Sequence, residues 1–240
     1  MLKNVFVTAG FVALLAAAAP AQAVSITYDH GHDGDGVPMS SVAGARTNDF
    51  NTGDFTTWSG GANPVTGTVA SGGGSHFVTG DVSGKYAAPF ISDGPIAGSD
   101  DPTVYLSVPA ASNTGSVTLL LNTTFNYFGL LWGSIDTYNT ISFLLNGVVV
   151  DSYTGTDVIT PNAANGNQTA PSTNTYVNFF DLPSFDAVRF ASTSYAFELD
   201  NIALATTGGT GTNVSEPAAL GLLGLGLVGL GLAARRRKTC

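Results

Sequence analysis

Between residues 77 and 204 the chain alternates short runs of β-branched, aromatic and aliphatic residues with clusters of Gly, Asn, Asp and Ser. The runs fall at 77–82, 103–108, 116–121, 125–132, 140–145, 148–153, 176–180, 187–191 and 196–204, each with the length and composition of a strand. Several alternate with period two: Ile141, Phe143 and Leu145 share one face, Ser142 and Leu144 the other. Between ISFLL and VVVDSY lies Asn146-Gly147, the dipeptide best suited to the positive φ angles of a type I′ turn, which predicts a hairpin. No stretch sustains a helical apolar period, and Gly or Pro interrupts nearly every window of a helix's length. The pattern predicts an all-β domain, an antiparallel two-sheet β-sandwich of jelly-roll type. Segments 37–74 and 154–175 read as irregular, the second as a long loop at the sandwich rim.

The two ends follow different patterns. Lys3, an apolar run over 5–19, and Ala21 and Ala23 around Gln22 form a signal peptide, 1–23, that signal peptidase cuts after Ala23. At the other end, 218–234 carries no charge and is followed at once by Arg235, Arg236, Arg237 and Lys238. That length is the short limit for a single transmembrane helix, and the basic cluster keeps its own side cytoplasmic. The predicted organisation is a signal peptide (1–23), a sandwich ectodomain (24–205), a flexible linker (206–215) and a C-terminal signal (216–240) with its membrane helix at 218–234 and basic tail at 235–238.

Ser215-Glu216-Pro217, the Gly/Leu-rich span and the terminal Arg cluster together resemble the PEP-CTERM sorting signal of exosortase-dependent bacterial surface proteins, with SEP where the family usually has PEP. The resemblance implies that an exosortase recognises Glu216-Pro217, cuts near it and removes the tail. The protein would be held in the inner membrane until processed and then pass to the envelope surface or extracellular matrix, commonly with exopolysaccharide or biofilm in Gram-negative bacteria. Within the ectodomain, GSIDTYNTISFLLNG (133–147), SYTG (152–155), YVNF (176–179), FDAVRF (185–190) and AFELDNIAL (196–204) are similar to the body of one family of exosortase-dependent surface proteins. That family brings no catalytic residues to carry over. The phrase FELDNI also resembles the last strand of calcium-bearing carbohydrate-binding sandwiches.

Charge narrows the partners. The whole chain has a formal charge of −9, but residues 24–217 hold all 17 acids against only Arg46, Lys85 and Arg189, leaving −14. Nucleic acid is excluded as a partner, and anionic lipid or polysaccharide is repelled unless divalent cations bridge the two. Neutral glycan and calcium remain. The single Cys, Cys240, provides no disulfide framework and no thiolate metal knuckle.

The segment Tyr28 to Gly36 packs Asp29, Asp33 and Asp35 with His30 and His32 among glycines. Closely spaced Asp in a Gly-rich loop can turn several oxygens toward one calcium ion, although no Glu follows at the position an EF-hand requires. The alternating His30 and His32 could instead take zinc or nickel, and a solvated N-terminal segment is the third reading. Asp200 and Asn201 join a calcium site if the last strand lies beside this segment. Asp136 and Asp100-Asp101 read as turn residues, and Glu198 as a solvent-facing position of an alternating strand. Trp132 reads as core, while Trp58, expected exposed, and Tyr138 are candidates for stacking on sugar rings. No GxSxG, HExxH or P-loop pattern is present, so the expectation is a non-enzymatic surface or matrix protein. The alternatives are a calcium-dependent carbohydrate-binding module and a glycan-cleaving enzyme working through paired carboxylates.

Overall fold

The computed structural model describes residues 23–60, 68–70, 76–109, 113–159 and 164–207. Residues 1–22, with Ala21, and the sorting segment beyond 207, with Ser215, Glu216, Pro217 and Arg235 to Arg237, lie outside them. Ala23 is exposed at the start of the described chain. Among the described residues no helix is long and apolar enough to cross a membrane; the expected span at 218–234 is not among them.

The first half of the chain contributes short strands: β1 (Ser25–Thr27), β2 (Gly31–His32), β3 (Pro38–Met39), β4 (Arg46–Asn48), β5 (Thr68–Ala70), β6 (Phe77–Val78), β7 (Phe90–Ile91), β8 (Ser99–Asp100) and β9 (Tyr105–Val108). The second half contributes the long ones: β10 (Gly115–Phe125), β11 (Tyr127–Gly133), β12 (Asn139–Leu145), β13 (Val148–Thr154), β14 (Thr175–Phe180), β15 (Phe185–Ser192) and β16 (Phe197–Ala205). They form a seven-stranded sheet ordered β1-β14-β11-β16-β9-β6, with β4 also on β16, and a five-stranded sheet ordered β13-β12-β15-β10-β5. Every pairing in both is antiparallel.

All nine runs named from the sequence contain strands, and the hairpin turns at Asn146 (φ 52°) and Gly147 (φ 79°) as expected. The segments read as irregular hold more structure than that reading allowed. Residues 37–74 include β3, β4 and β5, and 154–175 includes the one-turn helix α1 (Gly155–Val158) and a 3₁₀ turn at Pro171–Thr173. Strands of two or three residues are too short to show an apolar period, so only their pairing partners reveal them.

Alternate residues of the two sheets meet in one core. Val117, Leu119, Ile141, Phe143, Val188 and Phe190 from the smaller sheet pack on Leu106, Phe128, Leu130, Trp132, Val177, Phe179, Phe197 and Leu199 from the larger. Phe128 and Phe143 lie 5.6 Å apart between ring centroids, Phe190 and Phe197 5.8 Å, and Trp132 stacks on Phe197 at 4.4 Å. Such edge-on and offset contacts add to the area that these rings remove from water.

The larger sheet is also covered on its outer face. Val37, Ile91 and Ile96 pack against Leu131 and Tyr176, and Val42 and Ala45 against Tyr127 and Ala203. All seven residues of β11 and all nine of β16 are therefore buried, which explains the unbroken apolar runs in their sequences. In β16 the pairing slips: Gly129 faces Ala203 but Leu131 faces Asp200, so β16 carries one extra residue there. Asn201 absorbs it with φ 46°, and this bulge re-aims the polar side chains of Asp200 and Asn201.

Candidate functional site

The outer face of the larger sheet brings Asp33, Asp200 and Asn201 together and adds Asp101, which the sequence had suggested was only a turn residue. Asn201 Nδ2 donates to Asp33 Oδ2 (2.8 Å) and to the Pro38 carbonyl (3.0 Å). Asp33 Oδ1 accepts the amides of Asp35 and Val37, bending the loop before β3. Asp200 Oδ1 accepts the Asn201 amide (2.6 Å) and its Oδ2 the Thr103 hydroxyl (3.2 Å), while Asp101 Oδ1 accepts the Thr103 amide (2.8 Å). Asp101, Asp200 and Asn201 are at most 2% exposed. Asp101 Oδ2 and Asn201 Oδ1 are buried acceptors with no donor. Such orphans cost about 1–3 kcal/mol each. Burial raises the Asp200 carboxyl well above its ordinary value, with the neighbouring Asp101 charge adding to it, and burial raises Asp101 as well. Two buried carboxylates side by side require a shared proton or a cation. Two unfilled oxygen acceptors beside paired carboxylates are the donor type that calcium takes, although the carboxylates of Asp33, Asp101 and Asp200 do not all come within 4.8 Å of one another. Asp29 and Asp35 are exposed, and their recorded contacts run through the backbone: the Asp29 carbonyl accepts from Asn178 and the Asp35 amide donates to Asp33.

His30 and His32, on one face of the strand edge at β2, meet Asp93 from the turn between β7 and β8. Among the described residues these three form the group of His, Cys, Asp or Glu side chains whose ligating atoms all lie within 4.8 Å of one another. Burial is the largest single influence on the Asp93 carboxyl and pushes it up, but the hydrogen bonds and charge of His30 and His32 together outweigh it and hold the carboxyl below its ordinary value.

A third feature is a polar cleft of about 250 Å³ lined by Lys85, Tyr86, Ser134, Asp136, Tyr138 and Glu198 among others, including Gln168, Ser194 and Tyr195. Glu198 is the main departure from the sequence reading. It is 2% exposed rather than solvent-facing, because residues 84–88 fold over the outer face of β16. Its Oε1 accepts the Ala87 amide (3.1 Å) and its Oε2 the Ser134 hydroxyl (2.6 Å). Burial pushes its carboxyl up to about 7, the two hydrogen bonds pulling back and the Asp136 charge adding to the rise. Asp136, raised by burial despite the Tyr138 hydroxyl beside it, sits under Gly166, where a Cβ would come within 2.4 Å of its Oδ2. Tyr138 is half-buried and donates to the Tyr195 carbonyl (2.7 Å). Trp58, expected exposed, is half-buried: it packs against the core and donates from Nε1 to the Phe55 carbonyl (2.8 Å), so its ring is only partly open to a sugar.

The family model described as the PEP-CTERM protein-sorting motif matches residues 213–238. The chain carries an exosortase sorting signal. Such a signal implies export and membrane anchoring before processing. No curated protein matches the sequence. Among solved structures, CpGH89CBM32-6 produced by Clostridium perfringens is similar at 16% identity and TM-score 0.28, covering 41% of this chain and 74% of its own. CBM32-3 from a family 31 glycoside hydrolase from Clostridium perfringens is similar at 14% identity and TM-score 0.29, covering 43% of this chain and 74% of its own. Likenesses at this level carry no weight for function.

Proposed function

We propose that this PEP-CTERM protein is a non-enzymatic surface or matrix protein, delivered by exosortase, whose calcium-braced sandwich holds neutral glycan of the exopolysaccharide layer. The sorting motif at 213–238 carries the reading. Signal peptidase removes residues 1–23, the uncharged segment 218–234 holds the chain in the inner membrane, and exosortase cuts near Glu216-Pro217. In an exosortase-positive host, an antibody to an epitope placed after Lys238 is expected to lose its signal from the mature protein. Replacing Glu216 and Pro217 with Ala should preserve that signal. A tail persisting equally in both proteins would refute sorting.

The cleft supports the glycan. Tyr86, Tyr138 and Tyr195 offer half-buried aromatic surface beside Lys85, Asp136, Gln168 and Ser194, the mixture of stacking faces and polar groups that vicinal hydroxyls require. The −14 charge of the ectodomain favours uncharged sugars. Tyr138→Ala is expected to weaken binding of the host's neutral oligosaccharides roughly ten-fold in calorimetric titration, while Tyr138→Phe keeps most of the affinity. Equal affinities for all three proteins would remove the cleft as the binding site.

In these terms calcium does no chemistry on the glycan. It would be held by Asp33, Asp101, Asp200 and Asn201, neutralise the paired carboxylates and fix the loop before β3 to β16. A second reading, glycan cleavage, is favoured by Glu198 near 7 beside Asp136. Both Glu198 oxygens are committed to hydrogen bonds within the fold, which supports a structural role instead. Release of reducing ends from the host polysaccharide would reverse that order.

A further inference from the structure

We propose that His30, His32 and Asp93 form a second metal site, separate from the calcium cluster, that takes a divalent transition ion of the zinc class. The first observation is a tautomer. His30 Nδ1 lies 2.9 Å from the Tyr28 carbonyl, which can only accept, so Nδ1 carries the proton. In the neutral ring, Nε2 then presents a bare lone pair to Asp93 Oδ1 at 3.2 Å, two acceptors facing each other. A ring nitrogen donating to a backbone carbonyl while its partner nitrogen points into a ligand cluster is the usual orientation of a metal-bound histidine.

The second observation is distance. His32 Nε2 approaches the same Asp93 oxygen at 3.3 Å. Charge-assisted hydrogen bonds between imidazolium and carboxylate run to about 2.7–2.9 Å, well inside these values. With zinc bonds of about 2.0–2.1 Å to nitrogen and 2.0–2.2 Å to oxygen, the ligand–ligand edge of a tetrahedron is roughly 3.4 Å. The two separations lie close to that ligand edge and at the long end of the range for an imidazolium–carboxylate ion pair.

The third is the backbone around the site. Gly94 follows Asp93 with φ +79°, and a Cβ there would stand 2.2 Å from His32 Nε2, so only glycine lets the turn close over the ring. The His30 ring is backed by Tyr176, 6.1 Å away between centroids, whose hydroxyl donates to the Asn201 carbonyl. The side chains of His30 and His32 are 16% and 23% exposed and that of Asp93 is 56% exposed. The three ligands thus leave the outer coordination positions open to water or to a donor from another molecule. The bound ion would join β2, just after the mature N-terminus, to the β7–β8 turn. Nitrogen ligands separate this site from the all-oxygen calcium cluster by metal type, since imidazole suits zinc, nickel and copper.

The test is titration of zinc, and of cobalt as a spectroscopic stand-in, into the mature ectodomain held in millimolar calcium. One equivalent of zinc beyond any in the triple variant His30→Ala/His32→Ala/Asp93→Ala is expected, with visible cobalt bands of tetrahedral intensity. Each single histidine variant should lose at least about 100-fold in zinc affinity, and Gly94→Ala should lose a comparable amount without removing a ligand atom. The calcium-induced shift in melting temperature should be the same in all of these variants, which shows that each is folded. Zinc affinity unchanged in the single variants, or no zinc binding by the wild type, would overturn the site and leave a protonated His30–Asp93 ion pair.

Discussion

Adding calcium at about 10 mM to chelator-stripped ectodomain is expected to raise its melting temperature by roughly 5–11 °C. At a Kd of about 0.1 mM, the tight end for extracellular calcium modules, that concentration is a hundred-fold excess and stabilises the native state by about 2.7 kcal/mol. A domain of this size converts each kcal/mol into roughly 2–4 °C. The diagnostic variant is Asp101→Asn. Its remaining oxygen still accepts the Thr103 amide, while the new amide can donate toward Asp200, a hydrogen bond that no longer requires the pair to take up a proton from neutral solution. The stripped variant should therefore melt above the stripped wild type, by about 1–2 kcal/mol of stability, yet below the calcium-loaded wild type. That crossover separates a calcium site from a pair of carboxylates sharing a proton. If calcium shifted both proteins equally, the ion would be bound elsewhere.

Glu198 sets the second large effect, on the dependence of stability on pH. Its carboxyl stands at about 7 in the folded domain, above its ordinary value of 4.5. A raised folded value means that the buried group prefers to be neutral. Stability is fully present below pH 4.5, where the acid is protonated in both states, and is lost as the pH rises toward 7, where only the unfolded chain has released its proton. The loss amounts to about 3 kcal/mol. Glu198→Gln removes the titration but keeps an oxygen for the Ala87 amide and a polar contact to Ser134. Denaturant unfolding should give equal stabilities for the two proteins near pH 4.5 and a variant more stable by about 3 kcal/mol at pH 8. A variant less stable than the wild type at pH 8, with no deficit near pH 4.5, would mean that the folded domain prefers Glu198 charged and would overturn the raised carboxyl.

Much of the sandwich was legible because its strands obey local rules. The alternation in 140–145 and the Asn146-Gly147 turn are set by backbone geometry that neighbouring residues alone specify, and both appear in the structure. The sites were legible only in part, since they depend on which loop lies over which strand. Asp33 and Asn201 are 168 residues apart, and His30 and Asp93 are 63 apart. Asp101 and Asp93 carried no mark in the sequence beyond being Asp in turns. Glu198 was misread because the alternation Phe197, Glu198, Leu199 marks a half-exposed strand, whereas residues 84–88 cover that second face. The clue lay in the neighbouring strand: FGLLWG has no polar position on either face, as a strand covered on both sides requires.

The place of β16 in the larger sheet has a mechanical consequence. β16 is the strand that leads into the sorting segment, and it lies inside the sheet, between β11 on one side and β9 and β4 on the other. Ladder hydrogen bonds run perpendicular to the strands, so a pull along β16 from its C-terminal end loads bonds on both flanks together, in shear rather than one at a time. The bulge at Asn201 adds a keyed step, with its side chain bonded across to Asp33 and Pro38. Drag on whatever the domain holds would therefore reach its attachment through a strand gripped on both flanks.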